Sequence, residues 1–116
     1  MVVDDELTQR EIDCLFQALA DATRRDILRR AIERGESVSV ISRRYPMSFA
    51  AVQKHVAVLE RAALVTKERR GREQIVHANG ATLSKATTLL DAYEQLWIQR
   101  ANQIEEILVR QEGETT

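Results

Sequence analysis

Apolar residues recur along most of this chain at helical spacing. Ile12, Leu15, Phe16 and Leu19 fall on one helical face, predicting a helix over 7–20. Asp21 is a good N-cap, with Ala22 the first residue of a second helix. Its apolar positions are Ile27, Leu28, Ala31 and Ile32, and Gly35 is expected to stop it, with Arg34 near the negative end of the helix dipole. Ser37 opens a short helix with Val38, Val40 and Ile41 as its apolar positions. Tyr45-Pro46-Met47 ends it, because Pro46 disfavours helix at the preceding residue. Ser48 then caps a run from Phe49 to Ala62 or Ala63, in which Val52, Val56 and Leu59 form the inward stripe. Helix, tight turn, helix in about 25 residues is the helix-turn-helix scheme.

After Leu64 the period changes to two. Val65, and then Ile75 and His77 alternating with Val76, predict two short strands with Gly71 near their turn. From Leu83 to Arg110 the helical period returns. Leu83, Ala86, Leu90, Tyr93, Trp97, Ala101, Ile104 and Leu108 step by three and four, a heptad-like stripe. Residues 111–116 are expected to fray.

Charge sharpens this picture. The chain has 116 residues and a net charge of only −1. Residues 1–20 set one positive against five negatives, 37–79 eight against three, and 80–116 three against six. The centre is basic and both ends are acidic, a split suited to holding a polyanion in the middle of the chain. Much of the positive charge gathers at the hairpin tip, as Lys67, Arg69, Arg70 and Arg72 around Gly71. A helix able to enter a major groove thus stands next to a basic finger able to hold phosphates, the layout of a winged helix.

The residues also resemble a known family. "LADATRRDILRRAIERGE", "SVSVISRRYPMSFAAVQKHVAVLERAALV" and "ERRGREQIVHAN" follow one another in the order and spacing of ArsR-family winged-helix transcriptional regulators. That family's pattern is roughly L-A-D-P-T-R-R-x-I-L, then M-S-x-x-A-V-S-x-H-L-x-x-L-x-x-A-G-L-V, then R-x-G-R. The likeness covers about residues 12–80. It departs at Ala22 for proline, Gln53 for serine, Val56 for leucine and Ala63 for glycine. The resemblance implies a homodimer, joined through its first and last helices, that represses transcription from a palindromic operator.

The expected fold is therefore mostly α with a small β-hairpin. It is one winged helix-turn-helix domain over 1–110, with the helix-turn-helix at 37–63, the wing at 64–79 and dimerisation helices at 7–20 and 83–110. Gln53 and Lys54 are the candidates for base edges, since glutamine can pair bidentately with adenine. Phe49 is a candidate for a thymine methyl, although core packing is an equal alternative. Ser48 is a candidate phosphate contact, and His55, matching the family histidine, a candidate contact to backbone or base at the groove edge, with a purely structural role as its alternative. Lys67, Arg69, Arg70 and Arg72 would hold phosphates or enter the minor groove from the wing, with Arg24 a weaker phosphate candidate. Leu15, Leu90, Tyr93, Trp97 and Ile104 are the candidate dimer contacts.

The inventory for other chemistries is thin. Cys14, His55 and His77 lack the spacing of a metal site, and the family's cysteine pair is absent from Val38-Ser39-Val40-Ile41-Ser42. No metal, cofactor or catalytic site is expected. The expected partners are double-stranded DNA and a second copy of the chain. No signal-peptide or membrane pattern stands out, and a single cysteine suits the cytoplasm. Two rival readings are a winged-helix protein-interaction module, and a regulator gated by an organic ligand bound near Tyr93 and Trp97. The sequence leaves the operator and any small-molecule effector open.

Overall fold

The computed structural model describes residues 6–114. Its elements are α1 (Gln9–Leu19), α2 (Ala22–Glu33), β1 (Glu36–Ser37), α3 (Val38–Ser42), α4 (Phe49–Arg61), β2 (Val65–Arg70), β3 (Glu73–Ala78) and α5 (Gly80–Glu114). The three strands form an antiparallel sheet in the order β1-β3-β2. No helix among the described residues is long and apolar enough to cross a membrane.

Local capping chemistry sets where the helices begin. Thr8 and Glu11 form a reciprocal capping box, so α1 starts at Gln9 and Leu7 lies outside it. Asp21 Oδ2 accepts from the Arg24 amide at 3.0 Å, Ser37 Oγ from the Val40 amide at 3.1 Å, and Ser48 Oγ from the Ala51 amide at 3.1 Å. Each therefore satisfies an amide that the first helical turn leaves without an intrahelical partner.

The core lies where these helices meet the sheet. Leu15, Ile27, Ile41, Val52, Val56, Leu59, Leu64, Val65 and Val76 are fully buried. Ile32 is 55% exposed, so the inward face of α2 is narrower than its apolar spacing suggests. Leu15, expected at a dimer interface, is 1% exposed and belongs to the chain's own core. The adjacent Phe16, rotated by one residue, is the side chain that α1 turns outward, at 44% exposure.

Three features were not foreseen. The first is β1, whose Glu36 and Ser37 pair with Val76 and Ile75 and make β3 the central strand. Ile75 and Val76 are both buried, where simple alternation would expose one. The second is the role of Gly35. Helix α2 ends on Arg34 in extended geometry (φ −162°, ψ 131°), and Gly35 does not take up the left-handed conformation of a terminating glycine. A Cβ at Gly35 would lie 2.8 Å from the His77 ring, so the absence of a side chain lets the chain pass close to β3. The third is the length of α5, 35 residues rather than 28, or about 52 Å at 1.5 Å per residue. It starts where Asn79 Oδ1 accepts from the Ala81 amide at 3.2 Å. It also runs through 111–114, which were expected to fray; Thr115 and Thr116 lie outside the described residues. The single domain expected over 1–110 divides into two compact units between Lys85 and Ala86, because the second unit consists of the remainder of α5 alone.

The turn between α3 and α4 is tied to α2 by Asp26. Its carboxylate accepts from the Tyr45 hydroxyl, from Arg29 Nη2 at 2.8 Å and from Arg30 Nε at 3.0 Å. These hydrogen bonds, Tyr45 foremost, hold the Asp26 carboxyl well below the usual carboxylate range.

Helix α4 ends in a Schellman motif. The Ala63 amide donates to Glu60 O at 2.9 Å and the Leu64 amide to Leu59 O at 3.0 Å. Ala63 occupies the left-handed position of this motif (φ 58°), where glycine is usual. Ala63→Gly should therefore raise stability by about 0.5–1 kcal/mol, the relief of left-handed strain exceeding the entropy cost of glycine. Urea denaturation checks this, and a less stable variant would show that the strain is not felt.

Candidate nucleic-acid interface

Burial of Val52, Val56 and Leu59 fixes how α4 is rotated and therefore what it presents outward. Gln53 and Lys54 are exposed, and neither makes a hydrogen bond or ion pair among the described residues. Phe49 is 46% exposed, so it is not a core residue. Ser48 uses its hydroxyl oxygen to cap the helix. At 100° per residue, Gln53 and His55 fall on opposite flanks of α4, with Lys54 on the ridge between them.

On one flank stands the wing. Gly71, at φ 60°, and Arg72 make its two-residue turn, with glycine in the first central position as type II′ hairpins require. The basic residues of the wing have different surroundings. Lys67 Nζ lies 3.3 Å from Glu60 Oε1 of α4. Arg70 Nε donates to Glu68 Oε1 at 2.9 Å, and His77 Nε2 lies 3.0 Å from Glu68 Oε2. The hydrogen bond from Arg70, and secondarily His77, lowers the Glu68 carboxyl below its ordinary value. Arg69 Nε donates to Gly71 O at 3.3 Å, and its terminal nitrogens make no hydrogen bond or ion pair among the described residues. Arg72 is exposed and makes no ion pair among the described residues.

Between wing and helix lies a cleft of about 240 Å³. Val38 and Ser39 of α3, Phe49 and Gln53 of α4, and four wing residues including Arg69 and Arg72 line it. Ser39 and the wing residues Glu73 and Gln74 were not singled out from sequence. Ser39 sits on a short helix of unremarkable pattern, and only folding brings the other two alongside α4.

The opposite flank is organised by Arg24. Its Nε donates to Ala18 O at 2.9 Å and its Nη2 to Gln17 O at 2.8 Å, satisfying carbonyls at the end of α1. Its Nη1 lies 3.3 Å from His55 Nδ1. A guanidinium only donates, so Nδ1 must accept and the His55 proton sits on Nε2. Among the described residues no buried side-chain nitrogen or oxygen lacks a partner. His55 Nε2, which has none, therefore reaches solvent. Asp21 Oδ2, 4.0 Å from Nδ1, completes the cluster. Arg24 was a candidate phosphate contact, but its guanidinium is committed to joining α1, α2 and α4. Arg25 acts alongside it, with Nη1 donating to Leu19 O at 2.8 Å.

Elsewhere, Leu90, Tyr93, Trp97 and Ile104 of α5 are all exposed, Trp97 at 66%. Cys14 is a free, half-buried thiol. No group of three or more histidine, cysteine or acidic side chains able to hold a metal ion occurs among the described residues.

A helix-turn-helix whose second helix is exposed beside a basic antiparallel hairpin defines a winged helix-turn-helix protein. The comparisons with known proteins agree. The chain is 34% identical to an ArsR-like transcriptional regulator from Rhodococcus sp. RHA1, whose structure superposes with a TM-score of 0.76 over 84% of this chain and 92% of that one. It is 38% identical over 79 residues to the HTH-type transcriptional regulator YuzN of Bacillus subtilis, covering 61% of this chain and 85% of the relative. It is 35% identical over 86 residues to the HTH-type transcriptional regulator Rv2034 of Mycobacterium tuberculosis, covering 74% and 80%. No protein-family model matches the chain. The chain belongs to the ArsR family of winged helix-turn-helix transcriptional regulators, a non-enzymatic family.

Arg24→Ala should cost about 1–3 kcal/mol, since it leaves the carbonyl of buried Ala18 without its side-chain donor. Gln53→Ala should stay within about 0.5 kcal/mol of the wild type. Urea denaturation of the two variants side by side tests the contrast. Equal stability would mean that the Arg24 cluster holds nothing together.

Proposed function

We propose that the protein binds double-stranded DNA as a homodimer at a palindromic operator, in the cytoplasm, and represses transcription by blocking polymerase. The observation that carries this reading is the outer surface of α4. Gln53 and Lys54 stand exposed and without partners among the described residues, next to a basic wing. A helix inserted in the major groove would bring these two to base edges and Phe49 to a thymine methyl. Ser48, His55 through Nε2–H, and the wing residues Lys67, Arg69, Arg70 and Arg72 would hold the backbone.

The exposed apolar side chains of α5 support self-association. Leu90, Tyr93, Trp97 and Ile104 would lose solvent against a second copy, with Phe16 taking the part first given to Leu15 on α1. A winged helix-turn-helix domain from Mycobacterium bovis that shares this fold, at 19% identity and a TM-score of 0.60, is itself homodimeric. Two-fold symmetry would set two α4 helices about 34 Å apart, one turn of DNA.

Fluorescence anisotropy with DNA from upstream of the protein's own gene, against a scrambled duplex across a salt series, tests the reading. The expected result is preference for the native fragment with a steep salt slope. No binding to either duplex at low salt would overturn it in favour of a protein-interaction module. Gln53→Ala should relax the preference at one base pair by about 1–3 kcal/mol. Trp97→Asp should yield a monomer with lost operator affinity; sedimentation showing an intact dimer would remove α5 from the interface.

A further inference from the structure

We infer that the cleft between α3, α4 and the wing seats one backbone phosphate of the bound DNA, held by Ser39, Arg69 and Arg72, and that Arg70 takes no part in holding that phosphate. The inference rests on the DNA-binding reading above and assigns its wing contacts to particular side chains.

Three observations lead to it. The first is that the cleft is lined by polar groups free to bind. The Ser39 hydroxyl, the Gln53 amide and the Arg72 guanidinium make no hydrogen bond or ion pair among the described residues, and Arg69 keeps its terminal nitrogens available. These groups together supply donors on three sides of a space of about 240 Å³, with room for about eight waters. Arg29, Arg30, Arg44 and Arg70, by contrast, are each paired with an acid.

The second observation is the position of the cleft around α4. Val52, Val56 and Leu59 point inward, so the outward ridge runs through Ala50, Lys54, Ala57 and Arg61 at 100° per residue. Phe49 and Gln53, which line the cleft, lie on the flank of that ridge. When a helix fills a groove, side chains of its ridge and near flank reach base edges, and the space beyond that flank, toward the wing, faces the strand that walls the groove. A cleft on the flank, supplied with two guanidinium groups, matches the wall.

The third observation is Arg70. It does not line the cleft, and its Nε is held at 2.9 Å by Glu68, which also holds His77. The arginines that share the wing tip in sequence are thus separated by the fold into two that open on the cleft and one that closes on an acid.

One group in the cleft has the wrong sign. Glu73 lines it without an ion pair among the described residues, and its carboxylate opposes a phosphate. It acts as a built-in repulsive element that lowers affinity for any duplex. Glu73→Gln should therefore strengthen binding to native and scrambled DNA by similar factors, leaving their ratio unchanged.

The test is a double-mutant cycle on the full chain, bound to the native upstream fragment, with a neutral methylphosphonate placed at each backbone position in turn. At one position in each half-site, neutralisation should weaken the wild type about tenfold, the size of a lost charge-assisted hydrogen bond. The same neutralisation should have no further effect on the Arg69→Gln/Arg72→Gln variant, and its full effect on Arg70→Gln. A reduced effect with Ser39→Ala would complete the seat. The inference falls if no single position couples to Arg69 and Arg72, if Arg70→Gln abolishes the effect, or if Glu73→Gln weakens binding. A wild-type protein that binds neither duplex would overturn the DNA-binding reading itself, before any variant is made.

Discussion

Helix α4 must serve the core and the surface at once. Val52, Val56 and Leu59 are all but completely buried, and the helix packs on α1, α2, α3 and β2. Burying such side chains is worth about 1.5–3 kcal/mol each. That is enough to fix the rotation of the helix about its own axis, and so to determine that Gln53 and Lys54 point away from the protein. The two ends are fixed as firmly. Ser48 sets the start, and the Schellman motif at Ala63 and Leu64 sets the point where the chain turns into β2. The relation of wing to helix, and with it the cleft between them, follows from these limits.

Local chemistry was legible in the sequence and tertiary chemistry was not. Asp21, Ser37 and Ser48 could be read as caps because a cap involves only a residue and the three that follow it. The inward stripe of α4 could be read because its period is a property of the helix. By contrast β1 is two residues long, too short for any period to show. Gly35 was taken for a helix terminator because that is the usual use of glycine; its closeness to His77 depends on a strand 40 residues further on. Leu15 and Phe16 are neighbours on one apolar face, and only the packing of α2 and α4 decides which is covered. The resemblance to ArsR regulators located the wing and α4, but could not reveal Ser39 or Glu73 at the cleft or assign Arg24 to the end of α1.

Net charge was similarly informative only at coarse scale. The count for 37–79 shows an excess of positive charge but not which charges are spent internally. In the folded chain Glu60 engages Lys67, and Glu68 engages Arg70. Exposed pairs of this kind contribute little stability. Their greater effect is on direction, because a cation facing its own carboxylate attracts a polyanion less than one facing open space. The positive field of the wing is thereby weighted toward Arg69 and Arg72, beside α4.

The cluster around Arg24 has a mechanical side. One planar group is fastened to the end of α1, rooted in α2 and set against a ring on α4. A flexible linkage would absorb a small twist of α1 in side-chain motion. Here the planar head of a long side chain is held at the end of α1 and lies against His55, so a shift of α1 bears on a group that also touches the helix carrying Gln53 and Lys54. The segment expected to join two copies and the segment expected to meet DNA thus share this side chain, in addition to their direct packing.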